Sequence, residues 1–150
     1  MDVDGTLTDG KIYMGRDGEV CKAFDVKDGC GIHDILIPSG IRPIIITSRS
    51  SEIVKQRCDE IGICEVYQGV KNKTEKLEKI LEHSSFTYKD VAYIGDDIGD
   101  ISCMQSVKAA GGVVGCPADA VCQVKDLADF ICSRSGGNGA VREFIEWLLD

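Results

Sequence analysis

Short apolar segments alternate with amphipathic segments along most of the chain, and this alternation predicts strands and helices in turn. Apolar runs bounded by polar or glycine residues are typical of buried strands, which we predict at 41–47, 64–69, 90–97, 109–114 and 128–133. Apolar side chains spaced three or four residues apart predict amphipathic helices, which we place at 50–62, 72–83, 98–107 and 139–150. Alternation of strands and helices favours parallel pairing, so we predict an α/β fold with a doubly wound, Rossmann-like, mostly parallel sheet.

One segment interrupts this alternation near the start of the chain. Residues 11–24 contain two β-like arms around Gly15-Arg16-Asp17-Gly18, which is typical of a hairpin turn. We predict a hairpin flap inserted above the sheet edge. Because an isolated hairpin is marginally stable in water, we expect the flap to lie in an interface. At 150 residues, the whole chain (1–150) is predicted to form one domain.

Composition excludes several classes of function. A hydrophobic content of 43% argues against disorder, and a net charge of −8 argues against nucleic-acid binding, which needs a basic face. The apolar segments are too short to span a bilayer and no leader is evident, so we expect no membrane association and a cytoplasmic location. The eight cysteines form no Cys-x-x-Cys pair. We therefore predict reduced, mostly buried thiols rather than a zinc site or a disulfide framework.

Polar side chains follow four predicted strands, and in a doubly wound sheet such positions gather at one edge. They are Asp2–Thr6, Thr47–Arg49, Asn72–Lys73 and Asp96–Asp97. Crowded carboxylates repel unless a cation intervenes, and Mg²⁺ suits one or two carboxylates together with a phosphate oxygen. We therefore predict phosphoryl chemistry at this edge.

The residue types at this edge suggest a division of labour. Asp2 could attack phosphorus as a nucleophile while Asp4 protonates the leaving oxygen. Thr47 could donate a hydrogen bond to a phosphoryl oxygen, and Lys73 could offset the charge that develops there. A solvated acidic loop remains the alternative for Asp96 and Asp97 taken alone.

Other motifs fit the chain less well. An EF-hand loop starting at Asp2 would need Gly where Leu7 stands and Glu where Tyr13 stands, and no P-loop pattern occurs. A phosphoacceptor receiver domain would need an aspartate at the end of its third strand, where residues 67–69 have none. The segment 136–143 could open a helix on an anion or could form a plain glycine loop.

Taken together, these residues resemble the haloacid dehalogenase superfamily of aspartate-dependent phosphotransferases. Its first motif, D-x-D-G-T, is matched by Asp2, Asp4, Gly5 and Thr6. Its second motif is matched by Thr47 and its third by Lys73. Its fourth motif, an acidic pair after a strand, is matched by Asp96 and Asp97, with Asp100 as a further acidic residue.

A cap-less branch of that superfamily is similar to nearly the whole chain. The similar segments are DVDGTLTDGKIYMG, KAFDVKDGCGI, YQGVKNK, VAYIGDD and GGNGAVREF. The resemblance implies a Mg²⁺-dependent phosphatase of a sugar-acid phosphate, with the metal held by Asp2, the backbone carbonyl of Asp4, and Asp96. It also implies a homotetramer built by flap hairpins, in which a neighbouring subunit helps to close each active site. Candidates for that closing role are Gly137, Gly139 and Arg142.

Arg49 bears on which sugar acid is the substrate. An arginine suits a sugar carboxylate through a bidentate pair. Members of the branch that act on 3-deoxy-D-manno-octulosonate 8-phosphate tend to have arginine here, whereas relatives specific for nine-carbon acids have glutamate. We therefore predict the octulosonate ester as substrate. Ser48, where the branch often has glycine, and Lys27 are further candidate substrate contacts.

Two alternatives remain open. One is a 9-phosphate phosphatase of a nine-carbon acid, either KDN or N-acetylneuraminate. The other is the C-terminal phosphatase-like or oligomerisation domain of a CMP-sialic acid synthetase. The resemblance bears on this question because a first strand should run into Asp2, yet only Met1 precedes it. We therefore expect a truncated first strand, with two explanations open: upstream residues are missing from this chain, or the chain begins inside a longer protein.

Overall fold

The computed structural model describes residues 1–150 as a parallel sheet with helices on both faces and a hairpin beside it. The strands are β1 (Tyr13–Gly15), β2 (Gly18–Cys21), β3 (Ile44–Ile46), β4 (Glu65–Tyr67), β5 (Ala92–Ile94), β6 (Val113–Cys116) and β7 (Phe130–Ile131). The helices are α1 (Val26–Cys30), α2 (Glu52–Glu60), α3 (Lys73–Glu82), α4 (Ile98–Ala109), α5 (Cys122–Leu127) and α6 (Ala140–Leu149). A π-helical segment, Gly31–Leu36, continues α1, and a 3₁₀ turn, Tyr88–Asp90, precedes β5.

The sheet consists of two parallel groups that the start of the chain joins. β3 pairs with β4, and β5 pairs with β6, which pairs with β7. The carbonyl of Met1 accepts a hydrogen bond from Ile46 N (3.0 Å), and Asp2 N donates to the carbonyl of Ile94 (3.1 Å). Residues 1–2 therefore lie between β3 and β5, where a central strand would lie, and they bring Asp2 to the middle of the sheet. An apolar cavity of about 450 Å³ adjoins Met1 between these two strands.

Alternate side chains of the strands enter two separate cores. Ile45 and Ile94 pack with α2, the π-helical segment and α6, whereas Ile46 and Tyr93 pack with α3, α4 and α5. Successive strand residues point to opposite faces, so this division shows that both faces of the sheet are covered. The predicted doubly wound α/β fold without a large cap is confirmed.

Several predicted boundaries differ from the structure. The strand predicted at 109–114 is wrong at its start, because Ala109 still belongs to α4 and β6 begins only at Val113. Gly111, with φ of +88°, ends the helix in a left-handed conformation that glycine adopts easily. Helix α1 and the π-helical segment were not predicted from the sequence. Their stretch, 26–36, contains two glycines that lower helix propensity. The short helix α5 was missed as well.

The predicted flap is present as an antiparallel hairpin. β1 and β2 pair from Tyr13↔Cys21 to Gly15↔Gly18, and an isolated bridge between Thr8 and Phe24 closes its base. Its side chains Met14 and Val20 are more than half exposed.

The structure also bears on membrane spans and on the state of the cysteines. No helix in the structure combines the length and the apolar character that a membrane crossing requires. All eight cysteines are free, but only four of them are buried, so the expectation of mostly buried thiols is met by half of them.

Candidate active site

The polar side chains predicted to converge are brought together where the central strands end. Asp2 lies between β3 and β5, Thr47 follows β3, Lys73 opens α3, and Asp96 follows β5. Asp2, Thr47 and Lys73 are all more than nine-tenths buried. Such burial is rare for charged residues, here Asp2 and Lys73, unless they are paired. We therefore regard this cluster as the candidate active site.

Lys73 is the cation at the centre of this cluster. Its Nζ lies 2.8 Å from Oδ1 of Asp2 and 2.8 Å from Oδ1 of Asp100. Burial lowers the pKa of Lys73, but the carboxylates of Asp100 and Asp2 outweigh it, so the net pKa is raised. Lys73 therefore stays protonated beside the candidate nucleophile.

Asp100 is fully buried and has a supporting position. Its Oδ1 accepts a hydrogen bond from the hydroxyl of Tyr93 (2.7 Å), and its Oδ2 accepts from the backbone N–H groups of Asp96 (3.2 Å) and Asp97 (3.3 Å). Both oxygens therefore already have protein partners. Asp97 is exposed and caps α4, accepting a hydrogen bond from Ile98 N.

Three carboxylates of the cluster lie close enough together to bind a divalent cation. One oxygen each of Asp2, Asp96 and Asp100 lie within 4.8 Å of one another. Oδ1 of Asp2 is buried, and apart from the ammonium group of Lys73 at 2.8 Å no hydrogen-bond donor of the protein reaches it. The backbone carbonyl of Asp4 also accepts no hydrogen bond from the protein. Asp2, Asp96 and this carbonyl are therefore the oxygens available to Mg²⁺, which prefers such ligands.

Electrostatics also favour a cation at this position. Burial, followed by the charge of Asp100, raises the pKa of Asp2. Burial, followed by the charges of Asp2 and Asp100, raises the pKa of Asp96 to about 7. Without a cation, burial and mutual repulsion disfavour the ionised form of these carboxylates. A bound divalent ion neutralises their charge and makes the ionised form favourable.

Gly5 allows Asp96 to approach the first motif. Gly5 has φ of +90°, and a Cβ atom there would lie 2.0 Å from Oδ2 of Asp96. The hydroxyl of Thr6 donates to Oδ1 of the same carboxylate at 3.1 Å. Two residues of the D-x-D-G-T motif therefore position the carboxylate of Asp96. Gly5 leaves space for it, and Thr6 donates a hydrogen bond to it.

The flap contributes charged side chains that sequence analysis did not identify. Lys22 of the flap forms an ion pair with Oδ1 of Asp4, and its Nζ lies 3.0 Å from Oε1 of Glu19. Arg49 Nε lies 3.9 Å from Oδ2 of Asp4, and its Nη2 lies 3.5 Å from Glu19. Arg49 and its neighbour Ser48 are exposed at the rim of the site. No local motif marks Lys22 or Glu19, because their proximity to Asp4 depends on how the hairpin folds back.

The glycine-containing segment 136–143 contacts the first motif through Gly137, but not through Gly139 or Arg142. Gly137 N donates a hydrogen bond to the carbonyl of Thr6 (3.1 Å). In contrast, Arg142 Nε pairs with Glu146 (2.6 Å) and does not contact the acidic cluster. Lys27, Gly139 and Arg142 instead line a separate polar cavity of about 440 Å³, together with Arg134, which sequence analysis also missed.

Comparison with known proteins adds to this geometry. The chain is 43% identical to the 3-deoxy-D-manno-octulosonate 8-phosphate phosphatase KdsC of Escherichia coli K12, over 99% of this chain and 77% of that protein. The crystal structure of the corresponding phosphatase from Moraxella catarrhalis, in complex with magnesium, phosphate and KDO, superposes with a TM-score of 0.92. That match has 38% identity and covers 99% of this chain and 83% of that one.

A third similar protein widens the comparison. A HAD superfamily (subfamily III A) hydrolase from Legionella pneumophila has a TM-score of 0.91 and 35% identity, covering 99% of this chain and 79% of that one. No protein-family model matches the chain.

Proposed function

Since the chain belongs to the 3-deoxy-D-manno-octulosonate 8-phosphate phosphatases of the haloacid dehalogenase superfamily, we propose that it hydrolyses this ester with the help of Mg²⁺. The observation that carries the proposal is the acidic cluster of Asp2, Asp96 and Asp100, which gathers around the ammonium group of Lys73, 2.8 Å from Asp2 Oδ1. These three carboxylates share one buried ammonium group, so the cluster carries more negative charge than a structural salt bridge needs, and a divalent cation would balance it.

The residues of the cluster would act in two steps. A carboxylate oxygen of Asp2 attacks phosphorus, the bond to the sugar oxygen breaks, and an aspartyl phosphate forms while Asp4 protonates the leaving alcohol. Water then attacks the phosphorus of the aspartyl phosphate, and Asp4 takes the proton from that water. This second step releases inorganic phosphate and regenerates Asp2.

Other side chains would stabilise the charge on the phosphoryl group. Lys73, held between Asp2 and Asp100, faces the oxygens on which charge develops, and Thr47 lies buried at the end of β3 to donate a hydrogen bond. Bound Mg²⁺ would neutralise charge between the carboxylates and the phosphoryl oxygens, and Asp2, Asp96 and the carbonyl of Asp4 would hold it.

Arg49 would bind the carboxylate of the sugar acid. Its side chain lies at the rim beside Asp4 and Glu19 and is about half exposed, so it can turn towards a ligand. A guanidinium can pair with a carboxylate through two parallel hydrogen bonds. We also propose as substrate contacts Ser48 beside it, Lys27 of α1, and Gly137, Gly139 and Arg142 of the C-terminal segment.

We also propose a cytoplasmic homotetramer with active sites near subunit interfaces. The exposed apolar side chains of the flap, Met14 and Val20, support an interface there, because apolar side chains clustered on a hairpin favour burial. The eight free cysteines support a reducing compartment. Light scattering of the purified protein tests the assembly, and a monomeric mass would contradict it.

Phosphate release from the purified protein tests the proposed function. With Mg²⁺ present, the wild type is expected to release phosphate from 3-deoxy-D-manno-octulosonate 8-phosphate, and chelation with EDTA is expected to stop it. Asp2→Asn is expected to lower kcat by at least about 10³-fold because it removes the nucleophile. Asp17→Asn, which changes an exposed carboxylate of the flap turn, is the matched control. Near-normal turnover by Asp2→Asn would disprove the assignment of the nucleophile.

A further inference from the structure

Lys22 connects the flap to the candidate acid–base residue. Its ammonium group forms an ion pair with Oδ1 of Asp4 and lies 3.0 Å from Oε1 of Glu19. The hydroxyl of Ser51 donates to the other oxygen of Glu19 at 2.6 Å. A chain of polar contacts therefore runs from the segment after β3, through the flap, to the first motif.

Lys22 and Arg49, the two cations beside Asp4, differ in how far their side chains are exposed to solvent. The side chain of Lys22 is 1% exposed, whereas that of Arg49 is 47% exposed. A cation enclosed by two carboxylates and shielded from solvent is poorly placed to contact a substrate. Its hydrogen-bonding capacity is directed at Asp4 and Glu19 instead.

The ion pair is asymmetric with respect to the carboxylate of Asp4. Lys22 donates a hydrogen bond to Oδ1, whereas Oδ2 accepts no hydrogen bond and lies 3.9 Å from Nε of Arg49. An aspartate carboxylate rotates easily about its last side-chain bond, and one strong contact to a single oxygen restricts that rotation. Oδ2 is then the oxygen left to exchange a proton with the leaving group.

We propose that Lys22 is a positioning residue, which fixes the carboxylate of Asp4 for proton transfer to the leaving oxygen. This inference rests on the proposed function, because it assumes that Asp4 protonates the alcohol of the substrate. Glu19 supports the arrangement by holding Lys22 and accepting from Ser51. The flap thereby serves catalysis within its own subunit, separately from any role in assembly.

Substrates with different leaving groups distinguish positioning of a proton donor from a general structural role. An alkoxide leaves poorly without a proton, whereas p-nitrophenolate leaves readily. The ratio kcat/KM reports every step up to cleavage of the ester bond. Loss of Asp4 positioning should therefore lower kcat/KM much more for a sugar-acid phosphate than for p-nitrophenyl phosphate.

The test compares Lys22→Met with the wild type in saturating Mg²⁺. We expect kcat/KM for the sugar-acid phosphate to fall about 100-fold, within the range that general acid catalysis contributes, and to fall less than about tenfold for p-nitrophenyl phosphate. Lys22→Arg, which keeps a cation, is expected to recover most of the lost activity. Lys11→Met is the matched control, because Lys11 precedes the same hairpin and its side chain is 73% exposed.

Several outcomes would overturn the inference. Equal losses on both substrates, or no loss at all, would show that Lys22 does not position the proton donor. If Lys22→Met fails to fold, Lys22→Gln keeps a hydrogen-bond donor at the same position, and the same comparison of substrates applies to it. Failure of the wild type to release phosphate from either substrate would instead disprove the proposed function itself.

Discussion

The ammonium group of Lys73 lies 2.8 Å from Oδ1 of Asp100, and both side chains are almost completely buried. Tyr93 donates its hydroxyl to the same carboxylate oxygen, and two backbone N–H groups donate to the other. Asp100 therefore acts as a fixed anchor that directs Lys73 towards Asp2. The distinction between this anchored carboxylate and the less constrained Asp2 explains why acidic residues so close together can have different roles.

Removal of the anchor is expected to destabilise the protein strongly. Asp100→Ala removes the hydrogen-bond acceptor of Lys73, of the Tyr93 hydroxyl and of two backbone N–H groups, while Lys73 keeps its ion pair with Asp2. Leaving buried donors without an acceptor costs about 1–3 kcal/mol for each group. Asp97→Ala, three residues away, removes only an exposed helix cap and should cost about 1 kcal/mol. Urea unfolding measures both free energies. Equal costs for the two variants would contradict the anchoring role.

Gly5 is expected to be required for cation binding as well as for backbone conformation. Gly5→Ala places a Cβ atom 2.0 Å from Asp96 Oδ2, so the carboxylate must move, and Mg²⁺ should no longer raise the unfolding temperature. Gly111→Ala is the matched control, because Gly111 has φ of +88° but no atom near the added Cβ. Each variant should lose about 1–2 kcal/mol through backbone strain. A response of Gly5→Ala to Mg²⁺ equal to that of the control would count against this explanation.

The buried carboxylate of Asp28 predicts a pH dependence of stability. Asp28 accepts hydrogen bonds from the backbone N–H groups of Arg142 (2.8 Å) and Gly139 (3.3 Å), and so holds the start of α6. Burial nevertheless raises the pKa of Asp28 from 3.8 to about 6. Between about pH 4 and pH 6, the folded protein holds this proton more tightly than the unfolded chain, so the free energy of unfolding falls as pH rises.

The slope of stability against pH tests this prediction. Through that window the free energy of unfolding of the wild type should fall, relative to Asp28→Asn, by up to about 1.4 kcal/mol per pH unit. Urea unfolding at several pH values provides the measurement, with Asp17→Asn as a control at an exposed position. Parallel pH profiles for the wild type and Asp28→Asn would show that Asp28 does not titrate in this range.

Arg49 is expected to determine recognition of the sugar carboxylate. Arg49→Glu replaces an attractive charge with a repulsive one and should lower kcat/KM for 3-deoxy-D-manno-octulosonate 8-phosphate by about 10- to 100-fold. Activity on p-nitrophenyl phosphate, which has no carboxylate, should change little. Arg42→Glu is the control, because Arg42 lies outside the flap, pairs with Glu65 and is 49% exposed, close to the 47% of Arg49. Full activity of Arg49→Glu on the octulosonate ester would refute this role, and a gain on a nine-carbon acid phosphate would indicate altered specificity.

The convergence of Asp2, Thr47, Lys73 and Asp96 could be predicted without coordinates. Thr47 and Asp96 follow apolar segments, Lys73 lies between a predicted strand and a predicted helix, and Asp2 belongs to a recognisable motif. The ends of parallel strands meet at one edge of a sheet for geometric reasons. The spacing of Asp2 and Asp4 and the glycine after them also identified the first motif. What was predicted in error, such as the start of β6, lies at glycine-containing boundaries where local pattern is weak.

The sequence by itself determined the α/β fold class, the edge of the sheet at which the candidate site lies and the charged residues at its strand ends. The hydrophobic periodicity and the alternation of strands and helices can be read along the chain, and they are sufficient for those conclusions. Only the tertiary structure decided that Lys22 meets Asp4, that Asp28 holds the start of α6, and that Asp100 is an anchor. Each of these depends on contacts between residues distant in sequence, which are set by how the hairpin and helices pack and which no short pattern records.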